Sequence, residues 1–457
     1  MQVYRSKIKP LLIDLRATKH PMQAFIQRRL ALMKSMGEGV ALIPTAPEVI
    51  RNRDSHYSYR FDSSFYYLTG FKEPEAVLLL IAGEQPKSIL FCRDKDMERE
   101  IWDGFRYGPE AVKQGFGFDE AYSISQLDEI ALKYLANQAQ LFFNLGADKV
   151  WDTRITGWLN HLRTKARDGI TAPAKISDAS QLIDEMRLYK TAFEIDLMRR
   201  SANIAAAAHK RAMLYCANNF KCPDMMEYEV EAEFLHEFYR GGAQAPAYTS
   251  IVAGGANACT LHYNANNAVL KNGDLLLIDA GCELDGYASD ITRTFPVNGK
   301  FSGAQKELYE LVLASQVAAI TAVNTKNNWN APHEAALNVL IDGFIALGLC
   351  KGSADEVLET GSYRQFYMHR TGHWLGLDVH DVGEYKTKTG DWRMLEAGMT
   401  LTVEPGCYVR PAENVPEHFW NIGIRIEDDV LVTAGACEVL TINAPKTVLD
   451  IESLMSR

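Results

Sequence analysis

No apolar run in this 457-residue chain approaches the roughly 18 residues needed to span a bilayer. Basic charge is in deficit: 48 Lys and Arg stand against 58 Asp and Glu, a formal net charge of −10, with no long block of either sign. That balance excludes nucleic acid and anionic membrane as main partners, because neither attracts excess negative charge. Paired cysteines are lacking too. The eight cysteines, at 92, 216, 222, 259, 282, 350, 407 and 437, include no C-x-x-C, so they read as reduced thiols of a cytoplasm-like compartment. The opening "MQVYRSKIKPLLIDLRATKH" is a poor signal peptide, its one apolar run, "PLLIDL", being interrupted by Asp14. Residues 1–21 read as a short extension.

What the chain does contain is ordinary globular composition, 47% hydrophobic and 23% charged, in a length sufficient for two or three cores. Up to about residue 180, strand-like runs such as "EAVLLLIAG" (75–83) and "SILFC" (88–92) mix with an amphipathic helix, "MQAFIQRRLALMKSM" (22–36). Thr191 and Glu194 have capping-box spacing ahead of a long helical pattern. A boundary near 183 then divides the chain into domains 1–183 and 184–457, of α/β (α+β) class.

The second domain carries an internal similarity. "GDLLLIDAG" (273–281) and "GMTLTVEPG" (398–406) share a Gly, an apolar strand, an acid at the seventh place and a Gly at the ninth. Two related halves would each send an acid to a common centre. In "LLLIDAGCELDGYASDITRTF" (275–295), Asp285-Gly286 is a strong hairpin signal. A two-residue turn there sets Asp279 opposite Thr292, with Asp290 a diagonal neighbour on the same face. Glu404 ends "MTLTVE" on the face of Thr402, and "NIGIRIEDDVLV" reads as a half-buried strand whose polar face includes Arg425 and Glu427.

Four acids at apolar strands repel one another if they converge, and two divalent cations would balance their charge. A nitrogen ligand is available in "HRTGHWLGLDVHD" (369–381) from His369, His373 or His380, on a segment whose glycines argue for a loop leading into a strand. Spacing does not choose among the three. An oxygen-rich set with one imidazole suits Mn, Mg or Co and tolerates Zn. Two such ions activate a bridging water, so the chemistry indicated is metal-assisted hydrolysis.

The same segments resemble the aminopeptidase P and prolidase family of dinuclear metallopeptidases, whose catalytic domain has the pita-bread fold with pseudo-twofold halves. "HRTGHWLGLDVHD" fits the proline-peptidase signature along its length, and "LTVEPGCYV" and "GIRIEDD" fit further metal segments. "RNRDSHYSYRFDSSFYYLTGFKEPEAVLLLI" (51–81) resembles the family's creatinase-like N-terminal domain. The resemblance implies Asp279, Asp290, His373, Glu404 and Glu427 as ligands of two divalent ions, most often Mn2+, with Co2+ or Zn2+ as alternatives. It implies Glu404 also as proton carrier, and His262, His369 and His380 as catalytic groups beside the substrate. Tyr408 and Arg425 match residues near the proline pocket. Asp54 and Trp102 match substrate-side positions, Trp102 reaching in from a neighbouring subunit of a homotetramer or dimer. The implied reaction is cleavage of Xaa-Pro bonds at peptide N-termini in the cytoplasm. Alternatives are a prolidase restricted to Xaa-Pro dipeptides and a non-catalytic pita-bread binding protein, which would have lost ligands.

Overall fold

A computed structural model describes residues 21–456. The expected extension therefore lies outside the described residues, save Pro21, which opens the first helix. The chain forms two compact units dividing between Arg187 and Glu194, with Leu188–Lys190 in the second and Thr191–Phe193 in the first.

The first unit is built on a six-stranded mixed sheet. Its strands are β1 (Gly39–Pro44), β4 (Val77–Ala82), β5 (Lys87–Cys92), β6 (Glu120–Ser123), β7 (Gln140–Phe142) and β8 (Lys175–Ser177), in the order β6-β5-β4-β1-β7-β8. The runs "GVALIP" and "VLLLIA" are apolar at nearly every position because this sheet is buried on both faces. Helices Leu127–Leu135 and Lys149–Thr164 cover one face, packing Leu127, Ile155 and Trp158 onto Val40, Leu79 and Phe91. A separate exposed hairpin, β2 (Ile50–Asn52) with β3 (Ser55–His56), carries Asp54 near its tip. Helix Met97–Asp103 has no buried residue, and its Trp102 is 83% exposed.

The second unit contains β9 (Ala245–Pro246), β10 (Ile251–Gly254), β11 (Leu275–Asp279), β12 (Cys282–Leu284), β13 (Tyr287–Ala288), β14 (Thr292–Pro296), β15 (Thr400–Val403), β16 (Gly406–Val409), β17 (Ile422–Arg425), β18 (Asp428–Leu431) and β19 (Glu438–Val439). They form the sheets β10-β11-β14, β13-β12-β9, β15-β18-β19 and β16-β17. Helices Ala192–Asn219, Glu227–Arg240, Gly303–Ala322 and Ala331–Ala346 close one continuous core, in which Phe234, Leu308 and Phe344 meet Leu276, Phe295 and Ile424. Among the described residues no helix is long and apolar enough to cross a membrane.

The hairpin register holds. Asp285 and Gly286 both have positive φ, 50° and 85°, as a type I′ turn requires, and Asp279 pairs with Thr292. Two expectations change. "NIGIRIEDDVLV" is two strands, β17 and β18, and from Ile422 onward it is buried, because its polar face looks into the acid cluster and not into water. The segment after His373 does not become a strand: it makes one isolated bridge, Trp374 to Leu401. Two backbone hydrogen bonds, Gly376 N to Asp378 O and Asp381 N to Trp374 O, fold it back on itself.

Candidate metal centre

Each half of the second unit delivers two acids through a forked hairpin. Past Asp279 the backbones of the first hairpin touch: a Cβ on Gly281 would lie 1.7 Å from the Ser289 carbonyl oxygen. Here the hairpin leaves its partner β10 and pairs with β9 instead, and Asp290 sits at the fork between β13 and β14. In the second half Glu404 directly follows β15, and Glu427 lies between β17 and β18. The halves are joined at the same level. Glu427 N donates to Thr292 O at 3.1 Å, and Asp290 N donates to the Asp429 carboxylate at 3.1 Å.

Side chains complete the convergence. The Tyr248 hydroxyl lies 2.6 Å from Asp279 Oδ1 and 2.5 Å from Asp290 Oδ1. Thr292 Oγ1 donates to Glu427 Oε2 at 2.7 Å, and Thr402 Oγ1 to Glu404 Oε1 at 3.2 Å. His373 is fixed against β15, its N–H donating to Thr402 Oγ1 and its carbonyl accepting from Thr402 N. Its Nδ1 faces the Trp374 carbonyl at 2.9 Å. A carbonyl can only accept, so Nδ1 carries a proton and Nε2 is the nitrogen turned to the cluster. That Nε2 stands 3.4 Å from Asp290 Oδ2 and 3.6 Å from Glu404 Oε1. Donor atoms of Asp290, His373 and Glu427 all lie within 4.8 Å of one another.

A wall of polar residues adjoins the cluster. Arg425 Nη2 donates to Asp279 Oδ2 at 2.6 Å, and Arg425 Nη1 to the Tyr408 hydroxyl at 3.1 Å. Tyr408 in turn faces His369 Nε2 at 2.8 Å, and His369 Nδ1 faces the Arg370 carbonyl at 2.7 Å. The only consistent direction is donation from Arg425 to Tyr408, from Tyr408 to Nε2, and from Nδ1 to the carbonyl. His380 stacks edge-on against His373 with ring centroids 4.3 Å apart. His262 is exposed, on the coil after Cys259, within electrostatic reach of His369 and His380. Asp54 and Trp102 belong to the first unit, where both are exposed.

The cluster is electrostatically unsatisfied as it stands. Burial, then repulsion from Asp290, raises the Glu427 carboxyl well above its usual range. Burial likewise raises Asp290, and lifts Glu404 to about 7. Burial opposes charge on His373, but the hydrogen bond to Asp290 and the nearby Glu404 outweigh it and raise the imidazole to about 9. Burial, reinforced by Arg425, lowers His369 to about 4, and burial with His373 lowers His380. Acids and an imidazole forced toward protonation, all of which can exchange those protons for a metal, are a donor set that fits a divalent cation.

Two contributors lie outside the sequence-based set. Tyr248, in "PAYTSIV", is one tyrosine in a loop, and nothing in that stretch marks it. Asp429 was visible as the third acid of "IEDD": burial and then Asp290 raise it well above its usual range, while it accepts the Asp290 N–H.

Comparison with known proteins gives the family. Residues 196–434 match metallopeptidase family M24, and residues 25–142 match the aminopeptidase P N-terminal domain. The chain is 44% identical to an Xaa-Pro aminopeptidase of Escherichia coli, over 95% of this chain and 97% of that one. A Pseudomonas aeruginosa aminopeptidase structure superposes with a TM-score of 0.93 at 49% identity, covering 96% and 98% of the two chains. A zinc-substituted E. coli aminopeptidase P in complex with product superposes at 0.92 with 43% identity, covering 96% and 99%. The chain therefore belongs to metallopeptidase family M24, as a hydrolase with a pita-bread catalytic domain behind an aminopeptidase P N-terminal domain.

Proposed function

We propose that this protein is a metal-dependent aminopeptidase that removes the first residue from peptides whose second residue is proline. The observation that carries the reading is the convergence of four carboxylates and the Nε2 of His373 from both halves of one fold, beside a hydrogen-bonded Arg425–Tyr408–His369 wall. In this reading Asp279, Asp290, His373, Glu404 and Glu427 hold two divalent ions, Mn2+ by preference, with Co2+ or Zn2+ as alternatives. Such ions, when bound, make a water nucleophilic at neutral pH and polarise the scissile carbonyl.

The chain's own residues do the rest. Glu404 takes the proton that the attacking water gives up and delivers it to the proline nitrogen, which leaves as the C–N bond breaks. His262 and His380 donate to the carbonyl oxygen as negative charge develops on it. His369 orients Tyr408, and Arg425 with Tyr408 shapes the proline pocket while Arg425 neutralises Asp279. Asp54 and Trp102 complete the substrate side in a homo-oligomer, a tetramer or dimer. The exposed face of helix Met97–Asp103, with Met97, Ile101 and Trp102, gives a neighbouring subunit apolar surface to cover. Reduced thiols fit a cytoplasmic setting: the eight cysteines are unpaired, six of them buried.

The test is a paired assay on metal-stripped protein resupplied with Mn2+. An Xaa-Pro-Yaa tripeptide should lose its first residue while the matching Xaa-Pro dipeptide is cut far more slowly. Preference for the dipeptide would make the chain a prolidase, and turnover of neither would leave a binding protein.

A further inference from the structure

His262 can position a substrate only if something holds it in place. It is exposed, and it lies on irregular chain between the 3-10 turn Gly255–Cys259 and Leu270. A substrate-positioning imidazole on such a segment would sample many positions unless the backbone on both sides were tied down.

A buried carboxylate supplies most of the ties, beside Asn266, which bonds Val252 N and Ser250 O, and Arg410, which donates to Cys259 O. Glu227 is the first residue of helix Glu227–Arg240 and is fully buried. Its Oε1 accepts from Gly254 N at 2.8 Å and from Asn257 Nδ2 at 3.1 Å, ahead of His262. Its Oε2 accepts from the Tyr263 hydroxyl at 2.8 Å and from Ala268 N at 2.9 Å, beside and beyond His262. The Glu227 backbone N–H closes the circuit by donating to Ala268 O at 3.0 Å. Four donors thus converge on two carboxylate oxygens, more than the single oxygen of an amide could accept. The helix N-terminus favours negative charge at that position.

We infer that Glu227 is a positioning residue for hydrolysis: its carboxylate fixes the 254–268 segment so that His262 faces the substrate carbonyl. The inference rests on the proposed role of His262. Among the described residues Glu227 bonds Gly254, Asn257, Tyr263 and Ala268 and none of the five candidate ligands, so its effect on the reaction must pass through the segment it holds.

A double-mutant cycle separates this from general loss of structure. Glu227→Gln keeps the size of the side chain but turns one acceptor into a donor facing donors. In otherwise wild-type protein it should lower kcat for an Xaa-Pro-Yaa tripeptide by on the order of 10- to 100-fold, the scale of a displacement of about 1 Å at a reacting group. KM and bound metal per chain should change little. In the His262→Ala background, Glu227→Gln should then have almost no further effect on kcat. Equal losses in both backgrounds, or loss of bound metal with kcat, would overturn the inference. If Glu227→Gln does not fold, Tyr263→Phe removes one donor and leaves the carboxylate in place. It should show a smaller loss with the same dependence on His262, and a loss independent of His262 would overturn the inference. A His262→Ala protein that turns over at the wild-type rate would instead sink the role assigned to His262 itself.

Discussion

The Nδ1 of His373 donates to the carbonyl of its own neighbour, Trp374, at 2.9 Å, and this one bond decides which nitrogen the acid cluster sees. The backbone fixes the Nδ1 proton, so Nε2 is the nitrogen turned toward Asp290 and Glu404, and a bound cation would take the place of its proton. His373→Ala should therefore lower divalent-metal affinity by more than about 100-fold, beyond the cost of losing a mere orienting partner. Isothermal titration with Mn2+ measures it, and unchanged affinity would remove His373 from the donor set.

The metal-free protein should be less stable at high pH. Folding raises Glu404 from 4.5 to about 7 and His373 from 6.5 to about 9, so the folded chain holds protons that the unfolded chain has released. That contribution is full below the unfolded values and is lost as pH rises through about 7 and then about 9. Asp428, held down to about 2 against burial by Arg293 and Lys446, keeps its own contribution constant across this window. Below about pH 6.5 the lowered His209, His333 and His369 act in the opposite sense, so the melting temperature of metal-stripped protein should fall over the window from pH 7 to pH 9. The gain from saturating divalent ion should grow over the same range, since the ion displaces those protons. A flat or rising metal-free profile would contradict the cluster electrostatics.

Lys190 and Asp381 form a buried ion pair, Nζ to Oδ2 at 3.0 Å, with both side chains 1% exposed. Asp381 follows His380, so the pair pins the folded-back segment. Lys190→Met should cost about 3–5 kcal/mol by leaving a buried charge without this partner, and adding Asp381→Asn should recover much of that. Chemical denaturation of the single and double variants would show it. A double variant as unstable as the single would mean that the ion pair is not what Lys190 contributes.

Gly281→Ala should be among the most damaging substitutions in the chain. Its Cβ would stand 1.7 Å from the Ser289 carbonyl, where the backbone must cross closely to put Asp279 and Asp290 on one centre. Circular dichroism and bound-metal analysis should show loss of the fold or loss of metal. A normally folded, metal-replete Gly281→Ala protein would contradict this account of the fork.

The acids were legible in the sequence because their physics is local: an apolar strand ending in Asp279 or Glu404, and a turn at Asp285-Gly286 that fixes the opposite residue. The register followed from that turn alone, and the structure keeps it. Tyr248 was not legible, since it reaches Asp279 and Asp290 across 31 and 42 residues of chain and no periodicity marks it. "NIGIRIEDDVLV" was misread as half-exposed because alternation identifies a polar face without saying whether that face meets water or a buried acid cluster. "LGLDVHD" alternates like a strand, yet Gly376 allows an approach to Asp381 and Lys190 that no strand could make.

The central claim is that buried acids from both halves hold the ions that drive Xaa-Pro hydrolysis. The measurement that tests it most directly is a titration of metal-stripped protein with Mn2+, following bound metal and tripeptide turnover together, beside a Glu427→Gln variant. Turnover should be absent without metal, should rise to its plateau as two ions bind per chain, and should not be restored in Glu427→Gln at the same metal concentration. Full turnover by the stripped protein, or an unimpaired Glu427→Gln variant, would contradict the claim.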